Sequence, residues 1–201
     1  MIYAVRKEIV MYGLIKETEK GYSTQSADDI LFTNRRLFID REISSEYVDE
    51  IITALMVLSI SGDEEITLFI NTPGGEVLSG LALYDYILGM NVPVRTVCVG
   101  GAYSMGAIIF LAGDKREMLP HTRIMIHDPA YSSNNIGGKK PHEILKQVDK
   151  LMESRESLAK IIAERTDRDI EEIYKLTMED SYFNVDEAIE FGIATGVYKV
   201  A

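Results

Sequence analysis

Val94-Arg95-Thr96-Val97-Cys98-Val99-Gly100-Gly101-Ala102-Tyr103-Ser104-Met105-Gly106-Ala107-Ile108-Ile109-Phe110-Leu111 joins a β-branched run to an apolar helical run, with two glycines and a serine at the junction. Val94 to Val99 predicts a buried strand, Gly100-Gly101 is expected to end it, and a helix is expected to begin near Ser104. The same grammar repeats upstream. Ile66 to Ile70 reads as a strand, Asn71-Thr72-Pro73-Gly74-Gly75 as a turn, and Leu78, Leu81, Ala82, Tyr84 and Leu88 as the apolar side of a helix. Strand followed by helix, twice in succession, predicts an α/β chain whose sheet is at least partly parallel.

The flanks extend this reading. Leu37-Phe38-Ile39 reads as a short strand, and Ser44 or Ser45 caps a helix carrying Val48, Ile51, Ile52, Leu55 and Leu58. Downstream, Ile124-Met125-Ile126 is a short strand. Pro141 opens a long helix with Ile144, Leu145, Val148, Leu151, Leu158, Ile161 and Ile162 on its apolar positions. Asn184 with Glu187 resembles a capping box for a last helix, which Gly192 closes. Residues 1–30 are expected to form an arm or mobile loop. Ile9-Val10 and Leu14-Ile15 suggest a short strand pair broken by Gly13 and by the polar stretch Glu17 to Ser26. Tyr131 to Lys140 is the most loop-like internal stretch.

Composition narrows the functional classes. The chain has 201 residues, 46% of them hydrophobic, which suits one folded domain. A formal net charge of −11 argues against a nucleic-acid partner, which needs a basic footprint. No apolar run approaches the roughly 20 residues that span a bilayer, and the N-terminal stretch lacks the apolar core of a signal peptide. Cys98 is the single cysteine, so no intrachain disulfide forms. It reads as a small core residue in a cytoplasmic, reducing compartment.

Chemistry concentrates at Ser104. Ala102 and Gly106 flank it at −2 and +2, the small neighbours that a sharp strand-to-helix nucleophile turn requires. A serine at a helix start also lies near unpaired backbone N–H groups, which suit an oxyanion. A simple helix cap would account for the same serine. The Pro73-Gly74-Gly75 turn lets backbone approach a ligand closely, although a plain turn reads identically, and no Gly-Lys-Ser/Thr follows to make it a phosphate loop. A serine nucleophile needs a base. Among His121, His127 and His142, the strand-end His127 is the best placed. The acid stays open among Asp114, Asp149, Asp167, Asp169 and Asp180 on pattern alone. The order Ser104, His127, later acid disfavours an α/β-hydrolase.

From Leu31 to Val197 the chain resembles the proteolytic subunit of the Clp ATP-dependent protease. The resemblance rests on Leu68-Phe69-Ile70-Asn71-Thr72-Pro73-Gly74-Gly75, Ala82-Leu83-Tyr84-Asp85, Ser104-Met105-Gly106-Ala107, Leu119-Pro120, Arg123-Ile124-Met125-Ile126-His127 and Glu187-Ala188-Ile189-Glu190-Phe191-Gly192. It implies a crotonase-like spiral of ββα units, with residues 1–30 as an axial arm, 31–201 as one peptidase domain, and 131–165 as a protruding handle. By position it makes Ser104 the nucleophile, His127 the base and Asp180 the orienting acid. Gly75 and Met105 become the oxyanion-hole donors.

The resemblance further implies an endopeptidase cleaving unfolded polypeptides by acyl-enzyme chemistry, without metal or organic cofactor. Its subunits would form two stacked heptameric rings fed by an AAA+ unfoldase of the Clp type, which alone uses ATP. Four positions depart from the family pattern: Asp128 in place of Gln, Glu179 in place of a basic residue, Thr67 in place of a docking-groove tyrosine, and Tyr103 in place of a small residue. These departures keep two rivals in view. One is a weakly active or inactive ring subunit. The other is a crotonase-fold acyl-CoA enzyme, against which the Ser104-Met105-Gly106-Ala107 run speaks.

Overall fold

A computed structural model describes residues 13–18, 21–131 and 138–200. A hairpin comes first. β1 (Gly13–Thr18) pairs antiparallel with β2 (Gly21–Ser26), in register from Gly13↔Ser26 to Thr18↔Gly21. This corrects the expectation that Gly13 and the polar stretch Glu17 to Ser26 interrupt the strands. A two-stranded ladder is held by backbone hydrogen bonds, which polar residues supply as well as apolar ones. Ile9 and Val10 lie outside the described residues. Ser26 then caps α1 (Ala27–Thr33) in a capping box with Asp29, a helix for which the apolar pattern gave no sign.

The remaining strands build one sheet of seven. β3 (Arg36–Ile39), β4 (Ile66–Thr72), β5 (Val94–Tyr103), β6 (Lys115–Met118) and β9 (Gly196–Val197) lie in that order, all parallel. β7 (Arg123–Ile126) pairs parallel with the far end of β5, and β8 (Ser181–Phe183) pairs antiparallel with β7. Parallel neighbours need crossover connections. These are α2 (Ser45–Ser61) between β3 and β4, α3 (Val77–Leu88) between β4 and β5, and α4 (Met105–Leu111) between β5 and β6. Ser44 caps α2, its Oγ accepting from Tyr47 N–H at 3.3 Å. Pro141 begins α5 (Pro141–Thr166), and Asn184 with Glu187 forms the expected box on α7 (Val185–Phe191), which Gly192 ends in left-handed geometry. Between them lies α6 (Ile170–Thr177), capped by Asp169. This is the mixed α/β architecture expected for the crotonase-like class.

β5 is longer than its sequence suggests. It runs through Gly100-Gly101 to Tyr103 and changes partners on the way, from β6 beside Arg95–Cys98 to β7 beside Gly101–Tyr103. The glycines serve a local irregularity rather than an end. The β4–β5 register shifts between Ile70 and Thr72, and Asn71 Oδ1 accepts the Gly101 N–H at 3.0 Å. A Cβ on Gly100 would fall 2.2 Å from that same oxygen, so the amide fits only against glycine.

The core lies between the sheet and α2, α3 and α4. Leu55, Ile66, Leu68, Ile70, Leu83, Ile109, Phe110 and Leu111 are all fully buried. α4 is buried along its whole length, which explains why no helical alternation marks it. Removing its largest side chain leaves a void that rigid neighbours cannot fill. Phe110→Ala is therefore expected to lower the unfolding free energy by about 3–5 kcal/mol. An unchanged urea midpoint would contradict this placement of the core.

Candidate active site

The site forms where β5 ends. Ser104 stands between β5 and α4 with φ 55° and ψ −121°, one of three non-glycine residues with positive φ among those described. A side chain there meets its own backbone and costs about 1–3 kcal/mol unless the surroundings impose it. They do so from two sides. Ser104 N–H donates to Met125 O on β7 at 2.9 Å, and Ser104 O accepts from Ala107 N–H at 2.9 Å as α4 starts. The serine occupies the N-cap position, yet its hydroxyl caps nothing. Instead Oγ lies 2.8 Å from Nε2 of His127.

Strand register brings the three polar residues together. β7 pairs with β5 through Tyr103↔Met125, so Ser104 falls level with Ile126 and His127 follows one residue on. β7 and β8 pair as Ile124↔Phe183, Met125↔Tyr182 and Ile126↔Ser181. One further step sets His127 opposite Asp180, whose Oδ1 lies 3.7 Å from His127 Nδ1. That separation is just beyond a hydrogen bond, and the Asp180 side chain is 58% exposed.

The other candidates are engaged elsewhere. His121 lies in a turn, and His142 is exposed in the first turn of α5. Asp114 accepts from Val94 N–H, Asp169 caps α6, Asp167 ends α5 in left-handed geometry, and Asp149 is exposed on α5. Asp180 is thus the one acid of the five that the fold sets beside His127. Cys98 is fully buried, and burial pushes its thiol pKa up, as suits an unreactive core residue.

The Gly74-Gly75 loop closes on the same turn. A Cβ on Gly74 would sit 2.8 Å from Ser104 Cβ and 3.0 Å from Met105 N. Gly75, at φ 151°, lies against Ile43 so tightly that a Cβ would fall 2.2 Å from Ile43 O. Ile43 grips the loop on either side of this residue, donating to Gly74 O and accepting from Glu76 N–H, both at 2.8 Å. Among the described residues neither Gly75 N–H nor Met105 N–H donates to a backbone carbonyl. Gly74 packs directly on the Ser104–Met105 turn, and Gly75 is the residue that follows it.

Beside Ser104 and His127 opens a cleft walled by Val77, Met105, Ile108, Ile126, Leu158 and Ile162. Asp128 and Arg155 lie on the same lining. Tyr103, a departure from the family pattern, turns to Tyr182 of β8, ring centroids 6.1 Å apart at 76°. Among the described residues no three His, Cys, Asp or Glu side chains gather as a metal site, and no helix is long and apolar enough to cross a membrane.

Comparison with known proteins agrees with this geometry. Residues 7–201 match the Clp protease family. Three similar proteins are each named ATP-dependent Clp protease proteolytic subunit, the last of them subunit 1. That of Helianthus annuus is 36% identical over 166 residues, covering 81% of this chain and 83% of the relative. That of Deinococcus radiodurans is 33% identical over 183 residues, covering 90% and 88%. That of Prochlorococcus marinus is 35% identical over 191 residues, covering 92% and 94%. With a serine–histidine pair at a strained strand end and a family match along nearly its whole length, the chain belongs to the Clp protease family.

Proposed function

We propose that the chain is a serine endopeptidase subunit in which Ser104, His127 and Asp180 act as nucleophile, base and orienting acid. The observation that carries this reading is the 2.8 Å contact between Ser104 Oγ and His127 Nε2, made by a serine whose backbone is strained to present it. Ser104 Oγ attacks a peptide carbonyl carbon, and its proton passes to Nε2. The carbonyl π pair moves onto oxygen, where Gly75 and Met105 N–H groups hold the charge. Collapse expels the amine, which takes the proton from His127 and leaves an acyl-serine. Water, deprotonated by His127, then releases the acid. Asp180 faces Nδ1 and favours the tautomer whose Nε2 can accept. The 3.7 Å gap between them closes as imidazolium charge develops, since catalytic hydrogen bonds commonly tighten only during reaction.

The finer reading concerns assembly. Leu145, Val148 and Met152 lie one helical turn or two apart on α5, and all are exposed. An exposed apolar stripe of this kind suits burial against another copy. It supports α5 as the described part of a handle joining two stacked heptameric rings; residues 132–137 of that segment lie outside those described. An AAA+ unfoldase would deliver unfolded chains to the enclosed sites and hydrolyse the ATP, in a setting read as cytoplasmic. Labelling with a fluorophosphonate, together with turnover of a short fluorogenic peptide, tests the chemistry. Stoichiometric labelling is expected, and a folded protein that neither labels nor cleaves would overturn it. Sedimentation tests the assembly, which a stable monomer would contradict.

A further inference from the structure

The catalytic reading leaves one largely buried ion pair without a role. Asp128, directly after His127, places Oδ2 2.7 Å from Nε of Arg155 on α5, and the two side chains are only 29% and 22% exposed. Arg155 reaches further. Its Nη2 donates to Tyr174 O on α6 at 3.2 Å, and its guanidinium carbon lies 4.4 Å from the centre of the Tyr174 ring. Asp128 N–H in turn donates to Thr177 O, the last residue of α6. The other oxygen of Asp128, Oδ1, is buried with no partner among the described residues. Arg155 is therefore the one side chain that answers this carboxylate there.

Stability alone is a poor account of such a pair. Desolvating two charges offsets most of their attraction, and apolar residues of similar size usually do as well. A forked guanidinium held by a carboxylate, a carbonyl and a ring face does supply direction. Its attachments are informative. Asp128 adjoins the base, while Tyr174 and Thr177 belong to the helix end from which Asp180 follows three residues later. The pair thus spans the two chain segments whose separation is the His127–Asp180 distance.

We propose that Arg155 and Asp128 form a clamp that positions Asp180 against His127. The proposal rests on the triad reading above. Asp128, where relatives are expected to carry Gln, then has its compensating partner in Arg155. Both are positioning residues, since neither touches the reacting atoms.

The test is a cycle of variants in the full-length assembled protein. Asp128→Asn with Arg155→Gln removes both charges without stranding either. That double change is expected to lower kcat on a short peptide by about 10- to 100-fold, the effect of misplacing a catalytic group by a fraction of an ångström to an ångström. In an Asp180→Ala background the same double change is expected to cost less than about twofold, because the distance it sets no longer matters. A merely structural pair would lower both backgrounds equally, and that result overturns the clamp. The pair also lines the cleft beside Ser104, so peptides with Ala and with Leu before the scissile bond are compared. Equal loss for both supports positioning, whereas a KM loss confined to one assigns the pair to the pocket and overturns the proposal. Arg155→Lys, which keeps the charge but not the fork, is expected to recover only part of the rate; full recovery would reduce the clamp to simple charge neutralisation. A wild-type protein without turnover would instead overturn the triad, and the clamp with it.

Discussion

Ser104→Gly is expected to abolish peptide hydrolysis and yet to stabilise the protein. Removing the hydroxyl removes the nucleophile, and in comparable triads that loss alone lowers kcat about 10⁶-fold. The stability gain comes from the backbone. At φ 55° and ψ −121° a Cβ is strained by about 1–3 kcal/mol, which glycine relieves. Glycine's freer unfolded chain offsets about 0.4–1 kcal/mol of that. Ser104→Ala serves as the reference. It loses the same hydroxyl and the same contact with His127, but keeps the Cβ and hence the strain. The two variants should be equally inactive, with the glycine variant more stable by about 1 kcal/mol. For a domain of this size that corresponds to about 2–4 °C in melting temperature, read at one protein concentration because assembly also stabilises. Identical melting of the two would mean that the turn is not strained, and a residual rate above about 10⁻³ of wild type in either would mean that Ser104 is not the nucleophile.

The residues that made the site legible are those whose local chemistry matches their role. Ala102 and Gly106 announce a tight turn around Ser104. The crowding is real: a Cβ on Gly106 would meet Thr72 Cγ2 at 2.5 Å. His127 was readable because Ile124-Met125-Ile126 ends there. Asp180 was not readable from pattern, because β8 has three residues and only its pairing with β7 sets the acid opposite the base. Register between strands far apart in sequence leaves no local trace. The same cause hid β6 and β9, two short segments that the Glu117↔Gly196 and Met118↔Val197 pairs join into one ladder. Gly100-Gly101 misled for a different reason. Two adjacent glycines usually end a strand, but here they let Asn71 reach the chain as β5 passes from β6 to β7. Asp128 stands out as a departure, and its partner Arg155 lies 27 residues later on α5, beyond the reach of local pattern.

The second large effect is expected at Gly75, where loss of rate and loss of fold can be told apart. An alanine Cβ there would fall 2.2 Å from Ile43 O and 2.7 Å from Ile43 N, with φ at 151°. Neither can move cheaply, because Ile43 is buried and its own N–H and C=O hold Gly74 and Glu76. The loop must therefore lift, breaking those two bonds at about 0.5–1.5 kcal/mol each. On the proposed assignment of Gly75 as an oxyanion donor, lifting also withdraws its N–H from the developing charge. Loss of one oxyanion donor lowers kcat by about 10²–10³-fold. Because that donor meets charge that exists only in the transition state, KM for a short peptide should change little. A peptide boronate, which forms a tetrahedral adduct on serine, should lose affinity in parallel with kcat/KM. Gly196→Ala is the control, for a Cβ there meets nothing within 4 Å, and both activity and stability should stay at wild-type values. Full kcat in a folded Gly75→Ala protein would remove this loop from the oxyanion hole. Equal weakening of substrate and boronate would show that the loop binds the peptide without distinguishing its transition state.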